Sequence, residues 1–303
     1  MKTLAPIALF AYNRPQHLRK VLESLQNNKL AEESDLYIFC DGPKTTATAE
    51  ELAKIEAVRV VAAENKWCKT VTIRTQSKNQ GLANSIIHGV TEIVSTFQKI
   101  IVLEDDLVPF PYFLSYMNAA LDMYENETNV ACISAYVYPV KSKLPETFFI
   151  QGADCWGWAT WQRAWNCFEP DGKKLLEHIE SNALQKKFDF DFTYPYVQML
   201  KDQINHKNDS WAIRWYASAF IKNMLCLYPG KSLIQNIGID GSGTHSGSSD
   251  KWNVEEFKEN IVLQKIPTVQ HKHGYRAFKH YFKSLGPALK LRVKNFIKKI
   301  LGR

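Results

Sequence analysis

The 303-residue chain is 45% hydrophobic and 12% aromatic, enough to bury a large core, which excludes a disordered or fibrous protein. Its formal charge of +7 is uneven: residues 261–303 hold 11 Lys and Arg and no Asp or Glu, leaving the first 260 residues at 7 less 11, or −4. That excludes a basic nucleic-acid-binding core and assigns the positive charge to a terminal segment suited to anionic lipid or a partner.

In chain order, Lys2 precedes an apolar run over residues 4–12, but Pro6 interrupts it and Asn13-Arg14-Pro15 follow without a small-residue cleavage site. The run therefore reads as a first strand, not a secretory signal. No stretch approaches the roughly 18 uninterrupted apolar residues of a spanning helix, and a cytoplasmic location is expected. Strands are expected at residues 7–12, 36–40, 71–74, 100–103 and 130–134, alternating with helices at 16–25, 47–63, 82–97 and 112–124. Continuous apolar strands alternating with amphipathic helices predict a mostly parallel sheet, with ligands at the carboxyl ends of its strands. From about residue 135 the sequence turns aromatic-rich, with four Trp between Trp156 and Trp165. Helices return at 175–183, 193–204 and 211–223, and residues 238–249 are rich in Gly and Ser. One domain is expected over 1–270, with a nucleotide-binding half (1–135) and an acceptor half (136–270). A basic amphipathic tail follows at 271–303, with Leu289, Val293, Phe296, Ile297, Ile300 and Leu301 on one stripe. The six cysteines, Cys40, Cys68, Cys132, Cys155, Cys167 and Cys226, lie far apart without a CxxC pair and read as reduced core residues.

Polar clusters follow the predicted strands. Glu104-Asp105-Asp106 directly after the fourth is the strongest, because stacked carboxylates repel one another and lose solvation, and a hard divalent cation with a phosphate-bearing ligand offsets both. The plainer alternative is a solvated acidic loop before a helix that Pro109 and Pro111 introduce. Arg14 after the first strand suits a phosphate or a solvated helix start. Asp41-Gly42-Pro43 suits a nucleoside or a simple turn, and Lys78-Asn79-Gln80-Gly81 opens a helix where Gly81 permits close approach. Asp209 is a candidate base or an N-cap of the helix at Trp211. Indole faces pack on sugar C–H faces or in cores alike.

The order Asn-Arg-Pro, Asp-Gly, Asn-x-Gly-Leu, Glu-Asp-Asp-Leu, followed by Gly157-Trp158, Asp209-Ser210-Trp211 and Gly241 to Gly247, resembles nucleotide-diphosphosugar glycosyltransferases of the GT-A fold. The Glu104-Asp105-Asp106-Leu107 form is closest to the N-acetylglucosaminyltransferase I group and its bacterial relatives. That resemblance covers about residues 5–250. It implies a metal-dependent, inverting transfer from a UDP-sugar to a glycan or lipid-linked acceptor in surface polysaccharide synthesis, such as lipopolysaccharide or capsule. It further implies Mn²⁺ or Mg²⁺ on Asp106, the ribose on Asp105, the donor sugar near Glu104, the base facing Asp41 with Asn79 close by, and a phosphate on Arg14. His245 would meet the diphosphate or metal, Asp209 would act as base with Asp154 in reserve, and Trp156 or Trp158 would line the acceptor site. A peripheral contact with the inner face of an anionic membrane is expected of the tail, and nucleic acid is not expected as a partner. Two rival readings are a nucleotidyltransferase, which would carry a Gly-rich phosphate loop after the first strand, and a non-catalytic glycan-binding protein with a decayed transferase fold.

Overall fold

The computed structural model describes residues 3–239 and 250–286. Its first half alternates as expected: β1 (Ile7–Ala11), α1 (Pro15–Gln26), β2 (Asp35–Cys40), α2 (Ala49–Ala63), β3 (Thr70–Thr75), α3 (Leu82–Phe97), β4 (Lys99–Glu104), a short β5 (Leu107–Pro109), α4 (Phe113–Met123) and β6 (Val130–Ser134). The second half adds β7 (Thr147–Gln151), β8 (Trp158–Trp161), α5 (Gln162–Trp165), α6 (Gly172–Ser181), α7 (Gln185–Phe188), α8 (Tyr196–Ile204), α9 (Trp211–Ile221), β9 (Leu225–Pro229), β10 (Ile234–Asn236) and α10 (Lys272–Ser284).

Local sequence explains the first half. All five residues of β1 are buried, as are the four central residues of β4, which is how strands covered on both faces read. Pro15 opens α1 at the position where a missing N–H is harmless. Thr48 and Glu51 close a reciprocal capping box at the start of α2.

Eight strands form one sheet in the order β3-β2-β1-β4-β8-β6-β9-β7. β3, β2, β1 and β4 run parallel. β8 is antiparallel to both β4 and β6, β9 is parallel to β6, and β7 is antiparallel at the edge. The two halves thus share a single mixed, mostly parallel sheet, with β8 of the second half inserted between β4 and β6 of the first. The chain winds outward from β1 to β3, then returns through α3 to β4. Right-handed crossovers place α3 on the face opposite α1 and α2. There α3 packs on β1 and β4 and against α5 and α9. The reversal at β1 and β4 creates a crevice at their carboxyl ends, where open α/β sheets bind ligands. A second, two-stranded sheet pairs β10 with β5 just beyond the acids.

The segment expected to be a separate tail from residue 271 is in part built into this body. Gly274, Ala277, Phe278, Tyr281 and Phe282 of α10 are buried, and Phe278 packs edge-on to Phe148 and Tyr228. The spacing 274, 277, 278, 281, 282 is an amphipathic helical stripe, so the basic residues solvate one face of a docked helix. The apolar stripe at 289–301 lies outside the described residues. Among the described residues no helix is long and apolar enough to cross a membrane.

Because α10 completes the core, Phe278→Ala is expected to destabilise the protein by about 3–5 kcal/mol, and truncation after Gln270 to abolish cooperative unfolding in urea. A truncated chain that unfolds at the wild-type midpoint would remove α10 from the fold.

Candidate active site

The carboxyl ends of β1, β2 and β4 bring Arg14, Asp41 and Glu104 to Asp106 to one edge of the sheet. Arg14 pairs with Asp105 and lies 3.0 Å from Asp106 Oδ2. The two acids hold the guanidinium well above its usual pKa despite the opposing effect of burial. Glu104 is partly open at the crevice. Burial, then the charges of Asp106 and Asp105, push its carboxyl up to about 8, with Arg14 opposing. Asp105 is also raised, by burial first, with Arg14 working against the rise. Among the described residues, three acidic side chains therefore share the one cation of Arg14, and negative charge is in excess.

Asp105 is 4% exposed and committed to Arg14, which leaves little surface for the ribose expected there. Asp106 is seated differently. Its carbonyl accepts from Ile237 N at 2.8 Å, and the residue after Ile237 is Gly238, where any Cβ would collide with the Asp106 carboxylate. The β5/β10 pairing thus sets the side-chain-free Gly238 against the last acid.

Asp41 is buried and its carboxylate is saturated. Oδ1 accepts from Gly42 N and Gln80 N, both at 2.8 Å, and Oδ2 from Asn79 Nδ2 at 2.8 Å and Gly81 N at 3.0 Å. Four bonds fill the acceptor capacity of a carboxylate. A side chain at Gly42 would collide with the Lys78 backbone, so the two loops pack as a knot. Asn79 closes it further, donating to the Gly42 carbonyl at 3.1 Å. Asp41 and Asn79 thus brace the loop that starts α3, where the sequence suggested direct contacts to the nucleotide.

Asp209 lies at the amino end of α9, but the cap is Ser210, whose hydroxyl accepts from Ile213 N. The Asp209 carboxylate is 67% exposed, 3.7 Å from Arg214 Nη2, and its Oδ2 would be 3.8 Å from a Cβ at Gly81. It therefore faces the knot at the start of α3. Asp154, the reserve base, has both oxygens engaged: Oδ1 by Cys155 N and Trp156 N, Oδ2 by the Tyr228 hydroxyl. Burial raises its carboxyl. Three of the roughly four acceptor sites of this carboxylate are thus used in bracing the loop and binding Tyr228.

Trp158 corrects an expectation. It is fully buried, stacked on Trp211 at 5.3 Å and packed against Trp165 and Trp215, so it belongs to the core between β8 and α9 and cannot line an acceptor site. Trp156 remains partly exposed. His245 lies outside the described residues. A cavity of about 400 Å³ lined by Asn129, Arg163, Lys222 and Met224 lies where β6 and β9 begin, at the opposite edge of the sheet. Its Arg163 is occupied by the carbonyls of Tyr124, Glu125 and Val130.

The family model for glycosyl transferase family 2 matches residues 7–182, more than half of the chain. No curated protein sequence matches it. Among solved structures, a UDP-glucose pyrophosphorylase complexed with UDP-glucose is 12% identical with a TM-score of 0.37, over 75% of this chain and 90% of that one. The glycosyltransferase GlyE of Streptococcus pneumoniae TIGR4 is 10% identical with a TM-score of 0.35, over 75% of this chain and 45% of that one. A mannosyltransferase from Pyrobaculum calidifontis in complex with GDP-Man and Mn²⁺ is 11% identical with a TM-score of 0.33, over 58% and 47%. This chain therefore spans less than half the length of the two transferases.

The raised Glu104 carboxyl has a consequence for stability. Its folded pKa exceeds the unfolded value of about 4.3, so its stabilising contribution is full below that value and is lost as pH rises through about 8. Glu104→Gln is neutral throughout. Relative to wild type, its thermal midpoint in EDTA is expected to climb by several degrees between about pH 5 and pH 8.5, at roughly 2–4 °C per kcal/mol for a chain of this size. A difference that stays constant with pH would contradict the raised pKa.

Proposed function

The chain belongs to glycosyl transferase family 2, and from that premise we propose that it transfers a sugar from a UDP-sugar to a glycan or lipid-linked acceptor, with inversion and with Mn²⁺ or Mg²⁺. The coarser statement stands on the family and the fold: this is a nucleotide-sugar glycosyltransferase with a GT-A type mixed sheet. What supports the finer one is the cluster at the ends of β1 and β4, where Glu104, Asp105 and Asp106 meet the guanidinium of Arg14.

A divalent cation fits these residues. Asp106 supplies a hard oxygen beside unmet negative charge, while among the described residues no group of three or more His, Cys, Asp or Glu is arranged to hold a metal alone. Mg²⁺ and Mn²⁺ accept such sites when phosphate oxygens complete the shell. When bound, the metal neutralises the charge that develops on the departing diphosphate.

The remaining roles follow from position. Arg14, fixed by Asp105, presents its guanidinium beside Asp106 for the diphosphate. The Asp41 knot holds the backbone of the loop at Asn79 to Gly81 in place for the nucleoside, so Asp41 acts through that loop. Asp209, exposed and facing the same loop, accepts the proton of the acceptor hydroxyl as it attacks the anomeric carbon from the face opposite the diphosphate. Arg214 steadies the carboxylate. An inverting displacement needs only this one base, with the leaving group on the other side.

Asp106→Asn removes one hard anionic ligand without disturbing the core. Wild type is expected to gain thermal stability from UDP only when Mn²⁺ is present, and the variant to lose that gain while its own midpoint stays within a few degrees. A variant that keeps the Mn²⁺-dependent gain would move the metal elsewhere. Asp209→Asn is expected to keep UDP affinity and lower turnover by about 10²-fold or more. Unchanged turnover with a donor that is consumed by wild type would exclude Asp209 as base.

A further inference from the structure

Of the eight tryptophans, six are core residues: Trp67, Trp158, Trp161, Trp165, Trp211 and Trp215 are each 4% exposed or less. Trp156 and Trp252 are the two left partly open, and they lie against each other, ring centroids 5.7 Å apart with planes inclined at 73°. Burying an indole is strongly favourable, so a fold that buries six and leaves two open side by side has a use for their faces.

The corner these rings form is held rigidly from behind. Asp154 binds the backbone N–H of Cys155 at 2.7 Å and of Trp156 at 3.2 Å, and the Tyr228 hydroxyl at 3.0 Å. Tyr136 packs edge-on to Trp156 at 4.7 Å and donates its hydroxyl to the Trp252 carbonyl at 2.9 Å. Tyr138 and Tyr281 back the other side of Trp252. Cys155, directly before Trp156, has its thiol pushed up by burial first and then by the charge of Asp154. Gly157, directly after, packs on Ile234 of β10, the strand that leads to Gly238 and Asp106.

We propose that Trp156 and Trp252 together form the acceptor subsite and receive the apolar C–H face of a pyranose ring of a glycan acceptor. This rests on the glycosyltransferase reading above and names its acceptor class. Two partly exposed indoles at an angle match a ring with an apolar face and a polar rim, and the polar Lys251 and Asn253 flank Trp252, with Asn253 held by Gln235 and Asp250. A hydrocarbon chain would call instead for a continuous apolar lining, which a corner between two polar residues does not give.

The test uses the intact protein labelled with 5-fluorotryptophan and followed by fluorine NMR, with the two signals assigned from Trp156→Phe and Trp252→Phe. The probes are methyl glycosides of common hexoses and N-acetylhexosamines at millimolar concentration, where weak single-sugar binding is visible. At least one glycoside is expected to shift both signals and leave the six core signals in place. Trp252→Leu, which keeps apolar bulk and loses the aromatic face, is expected to weaken the effect at Trp156 at least tenfold in half-saturating concentration. If no glycoside moves either signal, or if only a prenyl alcohol does, the glycan subsite is overturned. UDP with Mn²⁺, titrated into the same sample, reads the donor site separately, because its contacts are Arg14 and the acids. Glycoside shifts without UDP binding would sink the donor reading and uphold the subsite.

Discussion

The ion cluster of Arg14 with Glu104, Asp105 and Asp106 is the constraint on which the rest of the site depends. Three adjacent carboxylates at the end of a buried strand are electrostatically unfavourable, and one arginine satisfies them only in part, as the upward shifts of Glu104 and Asp105 attest. The fold keeps this tension in place by covalent and topological means. Glu104 ends the central strand β4, Arg14 follows its neighbour β1, and the two strands are locked in register from Ile7 with Ile101 to Phe10 with Glu104. The register keeps the backbones that carry these charges side by side. On the function proposed above, a diphosphate with a divalent cation would relieve the imbalance, and the charges that weaken the empty protein would favour that ligand.

Around that cluster the carboxylates divide into those spent on holding loops and those left open. Asp41 and Asp154 are both carboxylates with every oxygen occupied, one knotting the loop before α3 and the other bracing the loop that carries Trp156. Each satisfies backbone N–H groups that would otherwise be unpaired in a partly buried turn. Asp209 is the opposite case, an exposed carboxylate relieved of capping duty by Ser210. The proposed function therefore draws its chemistry at this edge from the acids that remain open, Glu104, Asp106 and Asp209.

Much of this was legible in the sequence, and the limits have physical causes. The parallel half could be read because β1, β2 and β4 are apolar runs separated by helices with explicit starts, Pro15 for α1 and the Thr48 and Glu51 box for α2. The residues at the strand ends were found for the same reason. β7, β8 and β9 escaped because they are short and pair with strands far away in sequence, so Trp158-Ala159-Thr160-Trp161 read as an aromatic cluster and not as the strand inserted between β4 and β6. Trp158 was placed at the acceptor for want of that context. Helix α10 carried a readable stripe, Phe278, Tyr281 and Phe282, that its lysines disguised as a tail. The saturation of Asp41 and the pressing of Gly238 on Asp106 are contacts between distant segments, which no local pattern encodes.

The most direct test of the account is proton release on donor binding. Cation binding to a partly protonated acid cluster displaces protons, and with its carboxyl near 8, Glu104 is mostly protonated at neutral pH. Calorimetric titration of UDP with Mn²⁺ at pH 7, in two buffers of different ionisation enthalpy, is predicted to give a net release of protons that is absent when Mn²⁺ is replaced by EDTA. Binding of UDP that is equally tight in EDTA and releases no protons would contradict the claim that the strained acid cluster is the seat of the donor.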